Sequence, residues 1–180
     1  IDVPVKVVTA LGDTIEGSFP IKTSDFKKAV FDYIGEVVVK KKGTLVFGPK
    51  DVASSKPRGM YVSFTRKDKY AFDIPPSVIG KWKTFNEIDL VAEKIEEVRI
   101  TGNCGTYGSA SSKTVVNIDK RAVDLKFIIR DRRTGKVLKE KTIISGSPEC
   151  PKNVMSDDDH VVQWADENEG MKFLEEYLSL

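Results

Sequence analysis

Hydrophobic and polar positions alternate with a period of two over much of this chain and switch to a helical period in only a few places. The opening "VPVKVV" and the following "GDTIEGSF" read as two short extended segments, the proline suiting a first strand position or an edge. "TSDFKKAVFDYIG" changes period: Phe26, Ala29, Val30 and Tyr33 recur at helical spacing, Ser24 can cap the start and Gly35 can end it. "EVVVKKKGTLVF" then predicts a hairpin, two β-branched runs about Lys41, Lys42 and Gly43. "GPKDVASSKPRG" is loop-like, so the chain is expected to be a single domain over 1–180 with its best place for a subdivision near 48–58.

In the second half, Met60, Val62 and Phe64 alternate with polar neighbours in a predicted strand, and "YAFDI" follows after the charged "RKDK". The two prolines of "PPSVIGKWKTFNE" remove ladder donors and predict a turn or a short helical turn. "IDLVAEKIEEVRIT" fits a helix through Leu90, Ile95 and Val98, or a strand through Val98 and Ile100; its turn-like flanks favour strands. The clearest element is "AVDLKFIIRDRRTGKVLKEKTII". Val123, Leu125, Phe127 and Ile129 share one strand face, Gly135 in "DRRTGK" is ready for positive φ, and a Lys/Glu-alternating strand returns with one wet face. Met171, Leu174 and Leu178, with Phe173 and Tyr177 beside them, predict a closing amphipathic helix. The expected architecture is α+β, a mostly antiparallel sheet with two short helices at about 24–34 and 168–179.

The sequence order "GMYVSFTRKDKYAFDIPPSV", "NEIDLVAEKIEEV", "CGTY" and "FIIRDRRTGKVLKEKTIISGSPECP", closed by a short helix, resembles a group of uncharacterised bacterial proteins. They share an RTGKV hairpin and a GSPECP-like loop. The resemblance covers about residues 58–180. It bears on the fold and on the pairing of the cysteines, and implies no activity.

Composition narrows the class. The 180 residues are 40% hydrophobic with nine phenylalanines, enough for a packed core. A formal net charge of +2 and one lysine run, "VKKKG", do not make the basic face of a nucleic-acid binder. Gln163 is the one glutamine beside plentiful Lys and Glu, a pattern of hyperthermophile proteins. No stretch is long and apolar enough for a transmembrane helix. The start at Ile1, without methionine, is read as a mature or excised chain. The terminal "IDVPVKVV" must pair either within its own subunit, the favoured expectation, or with a neighbour.

Candidate chemistry is sparse. Cys104 and Cys150 each lie among small residues at a predicted strand end, and Pro148 and Pro151 stiffen the second site. The leading expectation is a disulfide, which closes a loop worth about 4 kcal/mol on the chain-entropy account. The alternative is two free, buried thiols. A bridge points to an oxidising compartment, hyperthermophile interiors excepted. Cys104 with His160 as nucleophile and base lacks any sequence reason for proximity.

The acidic "SDDDHVVQWADENEG" could bring Asp157, Asp159 and Asp166 around calcium, but no EF-hand spacing fits. Solvated charge complementing the N-terminus of the last helix is the plainer reading. "GNCGTYGSASSKT" fails the phosphate-loop pattern, since Ser112 precedes Lys113 where that pattern needs glycine. No G-x-S-x-G elbow is present, and neither a second histidine nor a close cysteine pair is available for zinc. The expected function is a non-catalytic binding or assembly domain, extracellular or at the cell surface, with a protein partner or with itself. The alternative is a carboxylate-dependent hydrolase or carbohydrate-active enzyme using the acidic loop.

Overall fold

A computed structural model describes residues 2–8, 14–20, 22–65, 76–108, 115–153 and 159–179. The chain opens with an antiparallel hairpin of β1 (Asp2–Val8) and β2 (Thr14–Pro20), which forms a two-stranded sheet of its own. The terminal strand thus pairs within its own chain, as favoured, but outside the main sheet. Helix α1 (Thr23–Ile34) follows, then β3 (Gly59–Thr65), β4 (Ser77–Gly80), β5 (Ile88–Tyr107), β6 (Val116–Asp131), β7 (Val137–Ile143), β8 (His160–Trp164) and α2 (Glu167–Ser179).

The six-stranded sheet runs β4-β3-β5-β6-β7, with β8 also on β6. The class is α+β with two helices near the expected places, and the sheet is mixed: β3 lies parallel to β5, and β8 parallel to β6. The mixture follows from two long connections. One carries β4 between β3 and β5, and the other separates β7 from β8. β7 covers β6 from Leu125 to Arg130, and β8 takes over along Asp119–Val123. β5 and β6 therefore run on together as a long ladder, from Leu90↔Asp131 to Tyr107↔Val116, with irregularities after Ile100 and Asn103.

Alternation along the ladder assigns the two faces. On the first face, Met60, Val62, Leu90, Ala92, Leu125, Phe127 and Ile129 are buried against Leu174 of α2, with Met171, Phe173 and Tyr177 packed around them. Gly170 is where α2 touches the sheet: a Cβ there would overlap the Phe127 ring. Gly170→Ala should gain roughly 1 kcal/mol in helix propensity and lose about 1–3 kcal/mol to overpacking. The expected net effect is destabilisation, relieved in a Phe127→Leu background. A higher melting temperature for Gly170→Ala alone would show that α2 does not sit this close.

On the second face, Tyr61 and Val91 meet Ile34, Val38, Val39 and Leu45. The expected hairpin at "EVVVKKKG" is corrected here. Gly35 does not stop α1; the chain continues as a π-helical turn over Gly35–Lys40. Three valines in a row favour strands by propensity, but the wider turn carries both Val38 and Val39 into the core, and burial outweighs the local preference. Gly35 serves close approach instead, since a Cβ would stand 2.9 Å from the Tyr61 hydroxyl oxygen. The predicted turn residues end the helix: Lys42 adopts φ 53° and the Gly43 N–H donates to Val37 O at 2.9 Å. The "DRRTGK" hairpin stands as expected, with Gly135 at φ 69° and Asp131 Oδ1 accepting from the N–H and hydroxyl of Thr134.

Candidate functional site: the far end of the sheet

The far end of the β5–β6 ladder gathers most of the chemistry noticed in the sequence. Cys104 and Cys150 are joined in a disulfide with Cα atoms 5.5 Å apart, so the bridge expectation holds and Cys104 is not a thiol nucleophile. The bridge fastens residues 144–151, which leave β7 and cross the second face of the ladder. Ser145 N–H donates to Asp124 Oδ1 at 2.7 Å, and Arg99 links the Asp124 carboxylate to Ser145 O. Thr101 and Ser147 hydroxyls lie 2.9 Å apart, and the Tyr107 hydroxyl donates to Pro151 O at 3.0 Å. Intact mass under denaturing conditions should show no alkylatable thiol before reduction and two after. Two thiols in the unreduced protein would contradict the bridge.

The first face of the same ladder is dressed differently. α2 covers it only as far as Val123, where Ala165 N–H donates to Val123 O at 2.9 Å before the helix begins. Beyond that line Val98, Ile100, Val162 and Trp164 share the face by register, at 54%, 69%, 36% and 46% exposure. Between β5 and β8 lies an open hollow of about 500 Å³, floored by buried Val123 and bordered by Glu96, Arg121 and His160. Sequence reasoning placed Val98 and Ile100 on a strand but gave no sign that their face would lack a covering helix. That depends on where α2 stops, which no local pattern reports.

The polar rim is knitted together. His160 Nδ1 bonds Asp159 Oδ1, and the Arg121 guanidinium lies 3.9 Å from Asp159 and 4.0 Å from Asp119. The hydrogen bond to His160 keeps the Asp159 carboxyl below the ordinary carboxylate range, outweighing a small opposing effect of burial. Of the three residues considered for calcium, Asp157 lies outside the described residues. Asp159 is engaged as above, and Asp166 Oδ1 accepts from the Asn168 N–H at 2.9 Å, the geometry of a helix cap. Among the described residues, no group of three or more His, Cys, Asp or Glu side chains is placed to hold a metal ion. The considered phosphate loop falls partly outside the described residues. His160 belongs to the rim of the first face, whereas Cys104 is tied to the chain crossing the second.

A second charged constellation, which sequence reading missed, lies at the opposite end of the sheet. Arg132, wholly buried, bonds Asp51 through two hydrogen bonds of 2.7 Å, donates to Ile88 O at 2.5 Å and Leu45 O at 2.6 Å, and lies 4.6 Å over the Phe47 ring. Arg133 joins Asp51 to Asp89, and Arg58 pairs with Asp89 at 2.7 and 2.9 Å. Burial by itself would raise the Asp51 pKa, but hydrogen bonds from Arg132 and the Phe47 N–H, with the charges of Arg132 and Arg133, bring it down to about 2. Asp89 is likewise lowered against its burial by Arg58 and Arg133. The arrangement pins the 45–58 segment to the sheet, and its acids and guanidinium groups are engaged with one another.

No protein-family model matches the sequence, and no characterised protein or solved structure is similar enough to lend it a function. No helix among the described residues is long and apolar enough to cross a membrane.

Proposed function

We propose that this chain is a non-catalytic binding or assembly domain that works outside the cytoplasm, and that the exposed end of its first sheet face is the contact surface. One observation supports the reading: α2 covers half of the first sheet face, while Val98, Ile100 and Val162 on the other half keep 54%, 69% and 36% exposure. Contiguous apolar patches with a polar rim are typical of association surfaces. Burying one such side chain fully is worth about 1.5–3 kcal/mol. The disulfide supports the placement, since such bonds persist in oxidising compartments. It also stiffens the ladder from the opposite face, which lowers the ordering cost of binding.

The test compares assemblies isolated from the producing cells for the natural chain and for Ile100→Glu. The natural chain should elute in a complex. The variant, with an unchanged circular dichroism spectrum, should elute as a free 20.1 kDa chain. A variant retained in the complex as fully as the natural chain would overturn the reading.

A further inference from the structure

We infer that the Cys104–Cys150 bridge is a redox latch, which a dithiol opens and a disulfide oxidant closes. Opening releases residues 146–151 and the end of the β5–β6 ladder, while the rest of the sheet stays folded. The inference goes beyond the contact-surface reading and does not depend on it.

The segment that leaves β7 is fastened at two points of different kinds. The near point is built into the fold. Ser145 is buried; its N–H donates to Asp124 Oδ1 at 2.7 Å, its hydroxyl donates to Gln163 O at 2.8 Å, and its carbonyl accepts from Arg99. These bonds tie it to β6, β8 and β5 at once. The far point is the bridge, with the hydrogen bond from the Tyr107 hydroxyl to Pro151 O beside it. Between the two, Pro148 is buried, whereas Gly146, Ser147, Glu149 and Cys150 are exposed. The segment therefore lies against the molecule and still presents Cys150 to solvent.

The other half of the bridge stands where the ladder is weakest. The β5–β6 register shifts after Ile100 and again after Asn103, and the second shift passes over Cys104 and Gly105. Gly105 has φ 86°, and its N–H donates to Asn103 Oδ1 at 2.6 Å instead of to β6. Glycine inside a strand weakens it. Among the described residues, neither core cluster includes a residue from 99–117 or 144–153. The bridge thus orders this end of the ladder, and the packed core does not rest on it.

Opening is a thiol–disulfide exchange. A thiolate of the dithiol attacks Sγ of exposed Cys150, the S–S bond breaks, and Cys104 leaves as a thiolate. The second thiolate of the dithiol attacks the sulfur now joined to Cys150, closes the reductant's own disulfide and releases the Cys150 thiolate. Two electrons pass from the dithiol to the bridge, and the two protons that the dithiol gives up reach the two cysteines through water. Exposed disulfides are the more labile ones. Pro148 and Pro151 narrow the freedom of the released segment, and the Ser145 anchor keeps it near the ladder, so reclosing is favoured.

The test follows amide hydrogen exchange by NMR in the full-length chain, oxidised and in excess dithiothreitol without denaturant. Reduction should make both cysteines alkylatable and speed exchange at 102–107 and 146–151 about tenfold or more. Exchange at Ser145, 90–98 and 123–129 should stay as in the oxidised chain, and oxidised glutathione should restore the first pattern once the reductant is removed. The double variant Cys104→Ser, Cys150→Ser should show the open pattern without any reductant. A bridge that resists dithiothreitol until denaturant is added would overturn the inference. So would exchange that rises across 90–98 and 123–129 together with the end, which would make the bridge a staple of the whole fold. A reduced chain whose 102–107 and 146–151 amides exchange no faster than before would overturn it as well.

Discussion

Replacing Arg132 by Met should destabilise the fold by about 3–5 kcal/mol, the cost of breaking a buried ion pair from one side. The guanidinium has no exposure, and it satisfies the Asp51 carboxylate and two backbone carbonyls, Leu45 O and Ile88 O, at once. Methionine fills part of the volume and offers no donor, so these acceptors lose their partner, with only Arg133 and the Phe47 N–H left on Asp51. Arg132→Met combined with Asp51→Leu should recover part of the loss, because exchanging a whole buried pair for apolar groups is often near neutral. The same site predicts an acid limit. Asp51 has a folded pKa of about 2, below the ordinary value near 3.9. Its stabilisation is therefore complete above about pH 4 and is lost as pH falls toward 2, on the order of 2 kcal/mol. Asp89, lowered in the same direction, adds to the loss in the same sense. Urea unfolding at successive pH values measures both effects. A flat stability from pH 5 to 2, or a cost below about 1 kcal/mol for Arg132→Met, would show the cluster to be solvated.

Phe127→Ala should cost about 3–5 kcal/mol, the range for an aromatic removed from a closed core. Phe127 is fully buried, its ring lies 6.4 Å from Phe173 in an edge-on contact, and Gly170 seats α2 against it. The glycine contact limits collapse around the deletion, since the helix backbone already rests on the ring and a cavity would remain. Denaturant unfolding measures the cost. A value below about 1 kcal/mol would mean that this face of β6 is not the core face.

Phe127 was legible in the sequence because strand periodicity acts locally: Val123, Leu125, Phe127 and Ile129 alternate with charged or less buried neighbours whatever lies elsewhere. The β6–β7 hairpin and α2 were legible for the same reason, and the disulfide because two cysteines leave a single pairing. The π-helical turn was not. "EVVVKKKG" has the composition of a hairpin, and only the packing of Val38 and Val39 against Tyr61 and Val91 decides otherwise. Arg132 sat unnoticed in a turn sequence, since its burial depends on Asp51, 81 residues away. The parallel pairings of β3 with β5 and of β8 with β6 likewise come from long connections that carry no local period. The exposed end of the first face was invisible for a related reason: Val98, Ile100 and Val162 look like any half-buried strand residues until the end of α2 is placed.

The measurement that bears most directly on the central claim is the fluorescence of Trp164 in a Trp82→Phe chain, followed with acrylamide quenching as the protein passes from the dilute, free state to its associated state. Trp164 is about half exposed in the single chain. The account predicts a blue-shifted emission and a loss of quencher access on association, both abolished by Ile100→Glu. Association that leaves Trp164 as accessible as in the dilute chain would contradict it.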